Sequence, residues 1–176
     1  MPSTPRAPRS LRSWRGRNPL PALARVLGRR RGLMRLAPAI VWADARLQRL
    51  SRGRVTLVGI AGLPSMRLVT TGRRTGLPRE TNLLYLPDRD AYIVTGSNWG
   101  RPSEPAWAHN LRADPRACVV VGGRATAVQA RELTGMDREA TWRRLLAFWP
   151  GYAMERDEAG RDFPIFVLTP DADRSR

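Results

Sequence analysis

Much of the chain beyond residue 54 is a succession of short runs rich in branched and aromatic residues, each closed by a turn. "VTLVGI" (55–60), "MRLVTT" (66–71), "ETNLLYL" (80–86) and "AYIVTGS" (91–97) follow one another with only "AGLPS", "GRRTGLPR" and "PDRD" between them. Runs of this kind bounded by Gly, Pro and Asp predict strands. "ACVVVGG" and "RATAVQARELT" form a further hairpin around Gly122 and Gly123, and "FPIFVLTP" (163–170) is a closing strand. Connections this short join antiparallel neighbours. Helical segments are fewer. "EPAWAHNLRADP" (104–115) predicts a short helix closed by Pro115. Thr134 and Asp137 pair as a cap for a helix through Trp149, with Trp142, Leu145, Leu146 and Trp149 on one apolar face and Pro150 as its stop. Tyr152 then falls on an irregular segment. Antiparallel hairpins with a few helices over them imply a mainly β, α+β fold, a closed or half-open β-barrel.

The 176 residues suffice for one domain with a sizeable core. Residues 1–54 hold 14 arginines and one acid, Asp44, whereas the remaining 122 residues hold 17 arginines and 14 acids. The net charge of +16 is therefore mostly a property of the N-terminal segment. There is no lysine, so arginine does all the cationic work. The single cysteine, Cys118, excludes an internal disulfide, and its apolar neighbours in "ACVVV" predict a buried, inert thiol. The single histidine, His109, excludes a histidine-based metal cluster and is expected to be a structural hydrogen-bonding residue.

Residues 1–36 form a basic leader, and 37–176 the barrel domain. Positions 1–19 are rich in Pro, Arg and Ser and too poor in apolar groups to offset the entropy of ordering. Weak helical spacing follows over 20–36 and again over 39–50. The leader suits either a disordered soluble tail or an arginine-rich segment resting on an anionic membrane surface. It carries neither the interleaved aromatics nor the motifs of nucleic-acid binding. "RRGLMRLAPAIVWADA" has the outline of a twin-arginine export signal, but its apolar part is short and contains Pro38. A cytoplasmic protein, peripheral on the membrane at most, is expected.

Three stretches have the composition of a site. In "TTGRRTGLPRETNLLY" (70–85) a tight turn carries Arg73, Arg74 and Arg79. Threonine and glycine allow backbone N–H groups to converge there, and guanidinium groups add charge, which suits a phosphate or carboxylate. The competing account is a solvated hairpin tip. In "GSNWGRPSEPAWAHN" (96–110), Ser97 and Asn98 bring hydrogen-bonding groups and glycines permit close approach. Trp99 there either covers an aromatic ring or plugs the core, and Trp107 is a core residue. In "FWPGYAMERD" (148–157), Tyr152 either packs its ring or offers its hydroxyl to a polar substrate as hydrogen-bond partner or proton donor.

Taken in order, "RLVTTGRRTGLPRETNLLYL", "GSNWGRPSEPAWAHNLRADP", "VGGRATAVQARELT", "WPGYA" and "FPIFVLTP" resemble the deazaflavin-dependent nitroreductases, also described as F420-dependent quinone reductases and typical of actinobacteria. The resemblance covers roughly residues 45–170. It implies a split β-barrel of the flavin-reductase type that binds coenzyme F420, a deazaflavin with a phosphate and a polyglutamate tail. The implied reaction is hydride transfer from the reduced coenzyme to a quinone, a nitroaromatic or another electron-poor ring compound. By the same resemblance, Arg73, Arg74, Thr75, Gly76, Pro78 and Arg79 match the phosphate- and tail-binding segment. Asn82 and Leu84 match positions beside the coenzyme, Ser97 a serine near its reactive ring, with Asn98 and Trp99 next to it, and Tyr152 a substrate-contacting tyrosine. Asn98 and Trp99 stand where some members have lysine and glycine. Trp149 and Glu155 stand where nitro-reducing members have two further tyrosines, so nitroimidazole activation is not expected. The alternatives are an FMN- or haem-related split barrel and a non-catalytic module that binds coenzyme or membrane. A monomer or a homodimer is expected.

Overall fold

The structure, a computed structural model, describes residues 63–171. The leader, the helical spacings of 20–36 and 39–50 and the strand expected at 55–60 lie outside the described residues.

Among the described residues seven strands form one antiparallel sheet. They are β1 (Ser65–Thr71), β2 (Pro78–Leu84), β3 (Leu86–Asp88), β4 (Ala91–Thr95), β5 (Arg116–Val121), β6 (Arg124–Glu132) and β7 (Ile165–Pro170). Three helices are α1 (Ala106–Ala113), α2 (Gly135–Phe148) and α3 (Gly151–Ala159), and a short 3-10 turn covers Asn98–Gly100. The strand order is β2-β1-β5-β6-β7-β4-β3. The edge strands β2 and β3 are thus farthest apart in the order, yet a single residue, Tyr85, joins them. A flat sheet of seven strands would separate its edges by about 29 Å, and one residue spans about 3.5 Å. The sheet therefore curls until its edges meet, which makes it a split, half-closed barrel. "ETNLLYL" is not one strand, as its composition suggests, but two with Tyr85 at the corner. The Tyr85 ring is buried edge-on against Tyr92 at 5.2 Å, and its N–H donates to the Pro64 carbonyl.

Register assigns the two faces of the sheet. Met66, Leu68, Val119, Val128, Phe166 and Leu168 point to the inside, where Trp107, Ala108 and Leu111 of α1 complete the core. Burial of each large apolar side chain contributes about 1.5–3 kcal/mol. On the other face Ile93 and Ile165 meet Trp142 and Leu145 of α2, Tyr152 and Ala159 of α3, and Phe163. The β5–β6 hairpin turns at Gly122 (φ 57°) and Gly123 (φ 82°), backbone angles that only glycine adopts freely.

Three local expectations need correction. Thr134 is at the N-cap of α2 but makes no side-chain capping bond, so Thr134 and Asp137 do not act as a pair. Residues 151–159, including Tyr152, are helical rather than irregular, because Pro150 keeps a helical backbone and starts α3 as well as ending α2. Cys118 is half-buried rather than buried, on the strand face opposite Val119.

Candidate functional site

Pairing places the candidate stretches at one end of the sheet. The end of β1 (Thr70) pairs with the start of β5 (Ala117), the end of β6 (Glu132) with the start of β7 (Phe166), and the end of β4 (Thr95) with Ile165. The turn after β1 and the loop after β4 therefore open at the same rim. α1 ties them together. Its N-cap, Pro105, ends the loop after β4. Asn110, about 7.5 Å farther along its axis, grips the turn. The buried Asn110 Nδ2 donates to Thr70 Oγ1 at 3.0 Å, and its Oδ1 accepts the Arg73 N–H at 3.2 Å. Sequence reasoning passed over Asn110, although a polar residue within an otherwise apolar helix face was a signal. Asn110→Ala leaves a buried hydroxyl and a backbone N–H without these partners. A loss of about 2 kcal/mol is expected, read as a lower denaturant midpoint with an unchanged m-value.

Five N–H groups of the turn are taken up within the protein. The N–H groups of Gly72, Thr75, Gly76 and Leu77 donate respectively to Leu77 O, Gly72 O, Gly72 O and Thr75 Oγ1, and that of Arg73 goes to Asn110. These five N–H groups therefore do not converge on an anion as expected, because four of them close the turn and the fifth ties it to α1. Gly72 is needed for that closure, since a Cβ there would lie 3.0 Å from both Leu77 O and Thr75 Oγ1. Gly76 takes a φ of 68°. What remains outward is side-chain charge. Arg73, Arg74 and Arg79 are exposed, and among the described residues no carboxylate lies within ion-pair distance of them. Arg67, Arg112, Arg116, Arg138 and Arg144 are paired with acids, while Arg89, Arg101, Arg124, Arg131 and Arg143 are exposed without an ion pair among the described residues; the turn differs from these in carrying three such arginines within seven residues. Arg79 rests its guanidinium on Thr75 Oγ1 at 3.4 Å, and Pro78 opens β2 opposite Thr71. Asn82 and Leu84 are not at this rim. They lie opposite Arg67 and Ser65, on the sheet face opposite to that of Arg79, and Asn82 is about 13 Å down the strand from Pro78.

The loop after β4 is strained and clamped. Asn98 (φ 51°), Trp99 (φ 59°) and Gly100 (φ 72°) are three successive left-handed residues. The two non-glycine residues cost about 1–2 kcal/mol each. Trp99 is 42% exposed, so it does not plug the core. Asn98 Nδ2 donates to Ser103 O at 3.0 Å. The strain is held by Arg161, another residue the sequence did not single out. Its guanidinium donates to Gly96 O at 3.1 Å, Ser97 O at 3.4 Å, Ser103 O at 3.0 Å and Arg101 O at 3.3 Å, with its carbon 5.0 Å from the centre of the Phe163 ring. At the other end of the loop Glu104 meets Arg112, which also binds Glu132 at 2.7 Å, and the Arg112 hydrogen bond holds the Glu104 carboxyl below its usual range. His109 sits 3.7 Å from Glu104 at the same junction.

The 3-10 turn of the loop packs on α3, where the buried carboxyl of Glu155 accepts from Trp149 Nε1 at 3.2 Å. The two residues that depart from the family's tyrosines are thus bonded to each other. Tyr152 is 5% exposed, with its ring against Trp142, and burial above all pushes its hydroxyl pKa upward.

A family model for the F420H(2)-dependent quinone reductases matches residues 41–170. The chain belongs to that family. It is accordingly an oxidoreductase, with F420 as its coenzyme. Among relatives, the F420H(2)-dependent quinone reductase Rv1261c of Mycobacterium tuberculosis is 35% identical over 114 residues, 60% of this chain and 73% of the relative. The solved structure of an F420-H2 dependent reductase, FDR-A, superposes with a TM-score of 0.55 at 30% identity, over 60% of this chain and 93% of that one. A chain described as a domain-swapped dimer gives 0.56 at 28% identity, over 72% and 96%. The split-barrel expectation agrees with these neighbours. Among the described residues no helix is long and apolar enough to cross a membrane, and none of their acids, histidine or cysteine cluster as a metal site.

Proposed function

We propose that this quinone reductase family member holds the anionic part of F420 on Arg73, Arg74 and Arg79 and transfers hydride from the reduced coenzyme to a small quinone-like acceptor at the Ser97–Trp99 loop. The observation that carries this is the set of three exposed guanidinium groups without acidic partners, at the rim shared with a strained loop presenting Trp99. A phosphate and a polyglutamate tail fit such a set, because guanidinium groups pair with planar and tetrahedral oxyanions in a fork geometry. Thr75, Gly76 and Pro78 shape the turn so that these side chains diverge outward. When bound, reduced F420 supplies the hydride.

The protein's own contribution is placement. Ser97 presents a hydroxyl toward the ring, Asn98 fixes the loop to Ser103, and Trp99 offers an indole face over which a flat ring stacks. Asn82 and Leu84 face the coenzyme from farther along β2. Tyr152 supports the wall of the acceptor site by packing; its burial and raised pKa favour that over proton donation. Titration of the protein into oxidised F420, with FMN and FAD in parallel, tests the proposal. Quenching of F420 fluorescence at micromolar protein is expected. No change at high micromolar protein, or tighter binding of FMN, overturns it.

A further inference from the structure

Three large apolar side chains are exposed among the described residues: Leu77 at 59%, Trp99 at 42% and Met136 at 89%. All three stand on connections at one end of the barrel, the rim where β1 ends beside the start of β5, β6 beside the start of β7, and β4 beside Ile165. Leu77 is on the β1–β2 turn, Trp99 on the loop between β4 and α1, and Met136 just past β6, at the start of α2. The turns at the opposite end present Arg89 and Asp90 between β3 and β4, and Gly122 and Gly123, followed by Arg124, between β5 and β6. Cationic charge accompanies the apolar tips. Arg73, Arg74, Arg79 and Arg101 are exposed at this rim, with no acid within ion-pair distance among the described residues. The acids nearby are engaged: Glu80 with Arg67, Glu104 and Glu132 with Arg112, Asp114 with Arg116, and Asp162 with Arg138. Asp137, beside Met136, is exposed, so the cationic weight falls on the turn and the loop.

We infer that this rim rests on an anionic lipid bilayer, with Leu77, Trp99 and Met136 entering the headgroup layer and the arginines meeting lipid phosphates. Separate apolar tips ringed by cations suit a soft interface, whereas a protein partner takes a contiguous apolar patch with a well-packed centre. An indole is favoured at the boundary between headgroups and acyl chains, and arginine stems lie along apolar surface while their heads reach phosphate. This surface is distinct from the basic leader. It sets the mouth of the proposed site against the phase in which an apolar quinone dissolves. When coenzyme occupies the turn arginines, Arg101 and the three apolar tips still face lipid. The inference stands on exposure and topology and does not depend on F420.

The test is co-sedimentation of the full chain with vesicles of equal parts phosphatidylglycerol and phosphatidylcholine, against phosphatidylcholine alone. Wild type is expected on the anionic vesicles and not on the neutral ones. Leu77→Ser combined with Met136→Ser lowers the partition about 10-fold, the worth of half-burying two apolar side chains. Arg101→Ala lowers it about fivefold. These side chains are exposed, so the thermal midpoint stays at the wild-type value and lost binding is not unfolding. In solution the double variant quenches F420 as wild type does, so a failure to bind coenzyme counts against the proposed function and leaves this inference standing. Lipids brominated on their acyl chains give a second reading: they quench part of the tryptophan emission, and Trp99→Phe loses that part. Wild type that stays in the supernatant overturns the inference. Undiminished binding by the double variant, with undiminished quenching in Trp99→Phe, assigns the contact to another part of the chain and also overturns it. Binding that responds to Arg101→Ala but to neither apolar change marks a surface for soluble polyanions such as RNA, and overturns it as well.

Discussion

Arg161→Ala is expected to release the loop from Gly96 to Ser103. Four carbonyl oxygens lose a charged donor together. Trp99 is then free to leave its left-handed backbone angles, which an indole side chain does nothing to favour, and Asn98, which tolerates them better, loses the neighbour that fixes it. The half-exposed setting lets water replace part of the loss, so the net cost is about 2 kcal/mol, or roughly 5–10 °C in Tm. The functional loss should be larger than the stability loss, because a loop that visits many conformations no longer presents Ser97 and Trp99 at once. At a temperature where the variant is still folded, F420 affinity should fall at least about 10-fold. Arg161→Lys should rescue little, since an ammonium cannot span several carbonyls with a planar fork. Full binding by Arg161→Ala with an unshifted Tm would show that the loop holds itself.

The second large effect is electrostatic. Replacing Arg73, Arg74 and Arg79 together by alanine should lower F420 affinity about 100-fold, with each exposed cation contributing a factor of roughly five. Fold stability should change little, because none of the three is paired with an acid among the described residues. Wild-type affinity should weaken as salt rises and the triple variant should be nearly indifferent to it, because screening acts only on charges that are present. Parallel salt dependences in the two proteins would show that the turn does not meet the anionic end of the coenzyme. Thr75→Ala separates shape from charge. It removes the oxygen on which Leu77 and Arg79 rest and should cost affinity while leaving the salt slope intact.

The strand pattern was legible because a half-buried strand imposes its own alternation. β1 alternates burial along its whole length, and the short turns leave antiparallel pairing as the only economical connection. The arginine turn was legible because its charge is local. The error at Tyr152 has a physical cause. Pro150 and Gly151 stop α2 as expected, but proline is also favoured at the start of a helix, and the same pair begins α3. Trp99 was ambiguous for a similar reason: whether an indole is core or surface depends on a backbone conformation that no run of side chains announces.

By itself, the sequence determined where most strands run, that three arginines crowd one turn and which family's motifs they follow, since each of these is written in neighbouring residues. Only the tertiary structure decided that the two sheet edges meet through Tyr85, that Asn110 and Arg161 hold the turn and the loop at one rim, and that Trp149 and Glu155 bond to each other beneath Ser97. The Asn110 and Arg161 contacts join residues 37 to 65 positions apart, set by strand register and the curl of the sheet, and the local pattern around either partner carries no trace of the other.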